Sequence, residues 1–195
     1  MMVTFDNYRR AFKSRWGVVT GLLGLAPPAS NWILDGWLFP PLGNESVLGQ
    51  LLAVLLAGVA VLVVYRKSFA DYKIRRCKRV LFALAVLAAC GYLVVHSKFV
   101  RAVDIPSQSR SVNVSIGLRR SEFALRNFSS TSDVDMLEAR GLDDNNVFQL
   151  WTPASIFIAR LSLFVSFCTV FLSLVGILSL TVYEHAKQTP DDSAR

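Results

Sequence analysis

The sequence predicts an all-α membrane protein: four transmembrane helices with a small mixed α/β extracytoplasmic segment between the third and fourth. Three observations carry this. Hydrophobic residues make up 53% of the 195 and charged residues only 18%, and the mean hydropathy is +0.42, above the range of ordinary soluble domains. Long stretches carry no formal charge, and the charges that exist gather between them with alternating sign. Soluble and disordered classes are thereby excluded.

Crossing the hydrocarbon core takes about 20 apolar residues in a helix. Residues 16–34 are uncharged, but Pro27, Pro28 and Asn31 interrupt them. They read as a kinked first span, or as a short helix entering an interfacial loop. A signal peptide is the alternative, because Arg9, Arg10, Lys13 and Arg15 precede the run, although proline directly after Ala26 makes a poor cleavage site. Phe5, Tyr8, Phe12 and Trp16 recur at helical spacing among these basic residues, the pattern of an amphipathic helix on the inner leaflet or of the cytoplasmic end of span one. Residues 46–65, 80–97 and 161–183 contain no Asp, Glu, Lys or Arg and are apolar on every helical face, where a soluble helix would show a single apolar stripe. These are spans two, three and four.

Charge sets the orientation. Residues 1–15 sum to +3 and residues 66–79 to +6, while 28–45 sum to −2, 98–150 to zero and 184–195 to −1. Lys and Arg favour the cytoplasmic side, so both termini are expected inside. The resulting parts are 1–97 (the N-terminal interfacial helix, spans one to three and a basic cytoplasmic loop), 98–150 (extracytoplasmic), 151–183 (span four) and 184–195 (a cytoplasmic tail). A three-span alternative would place the basic N-terminus outside.

The basic loop 66–79 holds Arg66, Lys67, Lys73, Arg75, Arg76, Lys78 and Arg79 against Asp71 alone. It is either a topology determinant without a partner or a docking element for anionic lipid or an acidic cytoplasmic protein, with Phe69 and Tyr72 as apolar anchors. Direct nucleic-acid binding is not expected, since a short segment against a membrane offers a duplex little surface.

In span four, Ser162, Ser166, Thr169, Ser173 and Gly176 fall along one line of the helix, opposite Phe164, Phe167 and Phe171. Hydroxyls can bond the carbonyl four residues back, and small residues let helices approach, so the stripe is a packing seam or, in a homo-oligomer, a polar pathway. Gly49, Ala53, Ala57 and Ala60 make a similar seat on span two. Arg160 is the intramembrane charge of span four. It is either functional or a residue that snorkels outward and pairs with Asp143 or Asp144.

The outer segment has local fold signals. Val112, Val114 and Ile116 alternate with Asn113, Ser115 and Gly117, which predicts a strand over residues 111–118 that needs a partner from this chain or a neighbour. Ser132 or Asp133 caps a short helix through Met136 and Leu137 that stops at Gly141. Glycosylation sequons at Asn44, Asn113 and Asn127 all fall on the outer side.

Cys77, Cys90 and Cys168 lie in or beside apolar stretches and outline no disulfide framework. His96 and His185 fall on opposite sides of the membrane, and no phosphate loop, metal pattern or nucleophile elbow is present. No cofactor, metal or small-molecule substrate is expected, and the protein reads as a non-enzyme.

The span order, the basic inner loop at 66–79 and the folded outer segment at 98–150 resemble the small four-pass membrane subunits of Kiwa-type bacterial phage-defence complexes. The resemblance spans the whole chain as architecture and carries no residue motif. It implies a homo-oligomer in a bacterial inner membrane that senses events at the envelope and recruits a cytoplasmic partner. The expected function is therefore a membrane sensor or scaffold, and the alternative is an oligomeric pore that perturbs the membrane potential.

Overall fold

The computed structural model describes residues 40–41, 46–66, 71–105 and 110–188. The N-terminal interfacial helix, the first span at 16–34, Asn44, Lys67 and residues 189–195 lie outside the described residues. In chain order the elements are α1 (Ser46–Arg66), α2 (Asp71–Phe99), β1 (Val100–Ile105), β2 (Arg110–Ser115), α3 (Glu122–Asn127), α4 (Asp133–Arg140), α5 (Asp144–Leu150) and α6 (Pro153–Gln188). The protein is mostly helical, with one small antiparallel sheet. Two helices are long and apolar enough to cross a membrane: α2, with 29 residues, and the Pro153–Glu184 portion of α6, with 32. The 21-residue α1 contains the shorter apolar helix Gly49–Val61.

The strand predicted over residues 111–118 is Arg110–Ser115, and three helix boundaries also differ from the sequence expectation. The segment 66–79 is not a loop throughout, because α2 begins at Asp71 and residues 71–79 are helical. Asp71 places a negative charge in the first turn, where the helix dipole favours it. No Gly or Pro follows until Gly91, and Arg, Lys, Leu and Ala are good helix formers. Helix α6 starts at Pro153, eight residues before the apolar run, because proline suits the first helical position, where its missing N–H is no loss. It also runs on to Gln188, so the tail 184–195 starts as helix.

The chain divides into two compact units. In the first, the early part of α2 packs on the late part of α6: Ile74, Leu180 and Tyr183 are buried together, with Cys77 and Leu81 against them. Gly176 permits the approach, since a Cβ there would lie 3.0 Å from Leu81 Cδ1. Ala53 and Ala57 of α1 are buried, whereas Leu51, Leu55, Val59, Phe82 and Leu87 are exposed. So many large apolar side chains on the outside of a helical unit suit hydrocarbon and not water.

The second unit contains residues 98–150. β1 and β2 pair with Val100 opposite Ser115 and Val103 opposite Val112, so the partner strand comes from the same chain. Val103, Val114 and Ile116 face Met136, Leu137, Val147, Leu150, Trp151 and Ile156 in one core. Helix α4 is capped as its sequence predicts. The Ser132 hydroxyl accepts from the Asp135 amide at 3.2 Å, and Gly141 ends the helix at φ 95°, a backbone conformation that glycine adopts without a Cβ penalty. A second cap precedes α3, where Ser121 accepts from the Ala124 amide at 3.1 Å.

Candidate functional site

Helix periodicity sorts the basic residues of α2. At about 100° per residue, Tyr72, Arg75, Arg76 and Arg79 share one face, and Ile74, Cys77, Lys78, Leu81 and Ala85 share the opposite one. Burial follows this division. Ile74 is fully buried, Ala85 is 7% exposed and Tyr72 is 68% exposed; Lys73, Arg75, Arg76 and Arg79 are exposed as well. Asp71, Tyr72, Arg75, Arg76 and Arg79 line one shallow open groove, and the Lys73 Nζ lies 5.9 Å from the centre of the Tyr72 ring.

Lys78 belongs to the other face. Its Nζ donates to Glu184 Oε2 at 2.5 Å, with both side chains partly exposed, beside the Ile74–Leu180–Tyr183 cluster. The pair therefore trims the edge of the α2–α6 contact, and Lys78 leaves the group of docking residues. Arg66 ends α1, and Lys67 lies outside the described residues. The structure thus unites Arg75, Arg76 and Arg79 with Tyr72 along one groove, leaves Lys73 beside the Tyr72 ring but off that face, and places Lys78 on the opposite face with Glu184. The signal that separates them is the recurrence of Ile74, Cys77 and Leu81 at helical spacing, which dense charge obscures in the sequence.

Arg160 is not a charge facing hydrocarbon. It is 9% exposed and packed within the second unit. Its Nε donates to Ser115 Oγ at 2.9 Å, a terminal nitrogen donates to Asp144 Oδ1 at 2.5 Å, and its guanidinium sits 5.4 Å from the Phe148 ring centre. Because α6 starts at Pro153, Arg160 lies only two turns into the helix, level with β2 and α5. It serves the fold there.

The stripe on α6 divides. Ser173 is 2% exposed and Gly176 is buried against Leu81, whereas Ser162, Ser166 and Thr169 are half-buried. Further along, the Ser179 and Thr181 hydroxyls each return a bond of 2.8 Å to the carbonyl four residues back, which satisfies them inside an apolar helix.

Elsewhere in the second unit polar side chains knit loops. Arg120 donates to the Phe128 and Thr131 carbonyls and to Asp133 Oδ1 at 2.8 Å. All three cysteines are free. Among the described residues no three His, Cys, Asp or Glu side chains converge as metal ligands would. Among the described residues, the basic face of α2 presents an exposed row of guanidinium groups along an open groove, which can bind oxyanions bidentately. No protein-family model, curated protein or solved structure matches this chain.

Proposed function

We propose that the chain is a multi-pass integral membrane protein, non-enzymatic and homo-oligomeric, which presents a folded unit outside the cytoplasm and a basic docking face inside. In this reading α1, α2 and α6 are spans two to four, residues 16–34 are span one, and both termini are cytoplasmic. The observation that carries it is the placement of charge on α2. Three exposed arginines and an aromatic occupy one face immediately before Val80, where 18 uncharged residues begin. The positive-inside tendency assigns that end to the cytoplasm. The balanced, well-packed segment 98–150 then serves as the sensing or assembly element. The resemblance to phage-defence membrane subunits suggests an envelope-borne stimulus for it.

The test combines topology with docking. Single cysteines introduced at Ser68 and at Ser130 in a cysteine-free background should label from opposite sides of sealed membranes, Ser68 from the cytoplasm. Neutralising Arg75, Arg76 and Arg79 should release whatever anionic partner co-purifies while the oligomer survives. Labelling of both cysteines from one side would remove the topology on which the proposal stands.

A further inference from the structure

We infer that Arg75, Arg76 and Arg79, with Tyr72, form a headgroup clamp for anionic phospholipid in the leaflet that α2 enters at Val80. The inference rests on the membrane reading above and names the occupant of its basic face.

Depth selects lipid over a soluble partner. With a rise of 1.5 Å per residue, Arg79, Arg76 and Arg75 lie about 2, 6 and 8 Å along the helix before Val80. The polar headgroup layer of one leaflet is roughly 5–8 Å thick, half the difference between the whole bilayer and its hydrocarbon core. All three guanidinium groups therefore sit at phosphate level, and an acidic protein would have to enter that layer to reach them. Tyr72, about 12 Å before Val80, lines the water-facing end of the same groove, where its ring can border the outermost part of a headgroup held by the arginines. Asp71 lines the same groove but lies farther still from the apolar run.

Charge and geometry agree with this occupant. The three arginines are exposed, and none forms an ion pair with another described residue, whereas Lys78 on the opposite face is committed to Glu184. A phosphodiester carries one negative charge and two free oxygens, which a guanidinium fork meets with two parallel hydrogen bonds. Two arginines at consecutive positions and a third one turn on can hold a headgroup between them.

The experiment titrates full-length protein in zwitterionic detergent with phosphatidylglycerol or phosphatidylcholine and counts bound lipids by native mass spectrometry. Wild type should prefer phosphatidylglycerol, and the preference should shrink as salt rises. In Arg75→Gln/Arg76→Gln/Arg79→Gln the preference should fall by roughly fivefold per arginine removed, and the corresponding triple lysine variant should keep part of it. Far-UV circular dichroism and detergent gel filtration verify the fold; if the triple variant is not folded, Arg79→Gln alone carries the test. Equal phosphatidylglycerol preference in a folded variant and wild type overturns the clamp. Displacement of the lipid by inorganic phosphate, or by soluble polyglutamate, well beyond that caused by sodium chloride at equal ionic strength overturns it too and reassigns the face to free phosphate or to an acidic protein. Carbonate extraction of cell membranes separates the two levels. A protein stripped by carbonate refutes the membrane reading itself, while a carbonate-resistant protein without lipid preference refutes only the clamp.

Discussion

Arg160 and Asp144 are 16 residues apart in sequence and joined at 2.5 Å, with Ser115 of β2 accepting from the same guanidinium. One arginine on α6 thus ties the start of α5 and the end of β2 to the first turns of that helix. Both charged side chains are mostly buried, 11% and 16% exposed, so solvent screens the pair little. Removing Arg160 takes a charge-assisted bond from Asp144 in a mostly buried setting. Arg160→Met should destabilise the second unit by about 2–3 kcal/mol, the scale of a hydrogen bond to a charged group, while Asp144→Asn, which keeps an acceptor oxygen, should cost less. Thermal unfolding in detergent and tryptic cleavage within 98–150 measure both, and equal, negligible effects would remove the tie.

Gly117 is needed for closeness. A Cβ there would stand 2.3 Å from Ser155 Oγ and 2.9 Å from Trp151 Cβ, so Gly117→Ala forces the strand end away from the start of α6. Overpacking of this kind costs about 1–3 kcal/mol. Ser155→Ala removes the nearest atom but not the Trp151 contact, so the double variant Gly117→Ala/Ser155→Ala should recover part of the loss and not all of it. Urea titration followed by tryptophan fluorescence reports the comparison.

Packing outweighs the ion pair in the first unit. Lys78 and Glu184 are 23% and 31% exposed, and pairs in such settings contribute about 0.2–1 kcal/mol. Ile74 beside them is fully buried, and truncating such a side chain to alanine costs about 2–5 kcal/mol. Ile74→Ala should therefore lower the melting temperature far more than Glu184→Gln. The reverse order would mean that the pair, and not the Ile74–Leu180–Tyr183 contact, holds α2 to α6.

Helix α4 offers the cleanest local test. Ser132 both accepts from the Asp135 amide at 3.2 Å and donates to the Asp135 carboxylate at 2.7 Å. Ser132→Ala should cost about 1 kcal/mol, the usual worth of an N-cap, and Ser132→Asp, which can accept from the amide but not donate to the Asp135 carboxylate, should restore only part of it. Differential scanning fluorimetry on the full chain resolves a change of that size.

How far each element could be read from sequence follows from how local its causes are. The α4 caps at Ser132 and Gly141 and the alternation of Val112, Val114 and Ile116 were legible because each signal lies within a few residues of the structure it makes. The partner strand Val100–Ile105 was not, since Arg101 and Asp104 break its apolar alternation and it issues directly from α2. The helical start of α2 was hidden by charge density over Ile74 and Cys77. For Arg160 the sequence offers pairing with Asp143 or Asp144, and the Asp144 pair is the one that forms; its bond to Ser115, 45 residues away, leaves no local signal. The requirement for glycine at Gly117 comes from Trp151 and Ser155, which only the fold brings near.

The divided stripe on α6 gives the last prediction. If the whole line from Ser162 to Gly176 faced a common axis, leucine at any of its serines would act alike. Ser173 is instead buried within its own chain at 2% exposure, while Ser166 is half-buried. Ser173→Leu should therefore overpack the monomer, at about 1–3 kcal/mol, and lower thermal stability in detergent at every protein concentration. Ser166→Leu should leave that stability within about 0.5 kcal/mol, as expected away from packed sites. Any effect it has should fall on self-association, read as the dimer and higher bands after cross-linking in native membranes. Flux through liposomes reconstituted with each variant completes the comparison. Loss of flux in both, with stability and assembly unchanged, would restore the continuous polar pathway. A stability loss confined to Ser173→Leu would fix the lower half of the stripe as a packing seam.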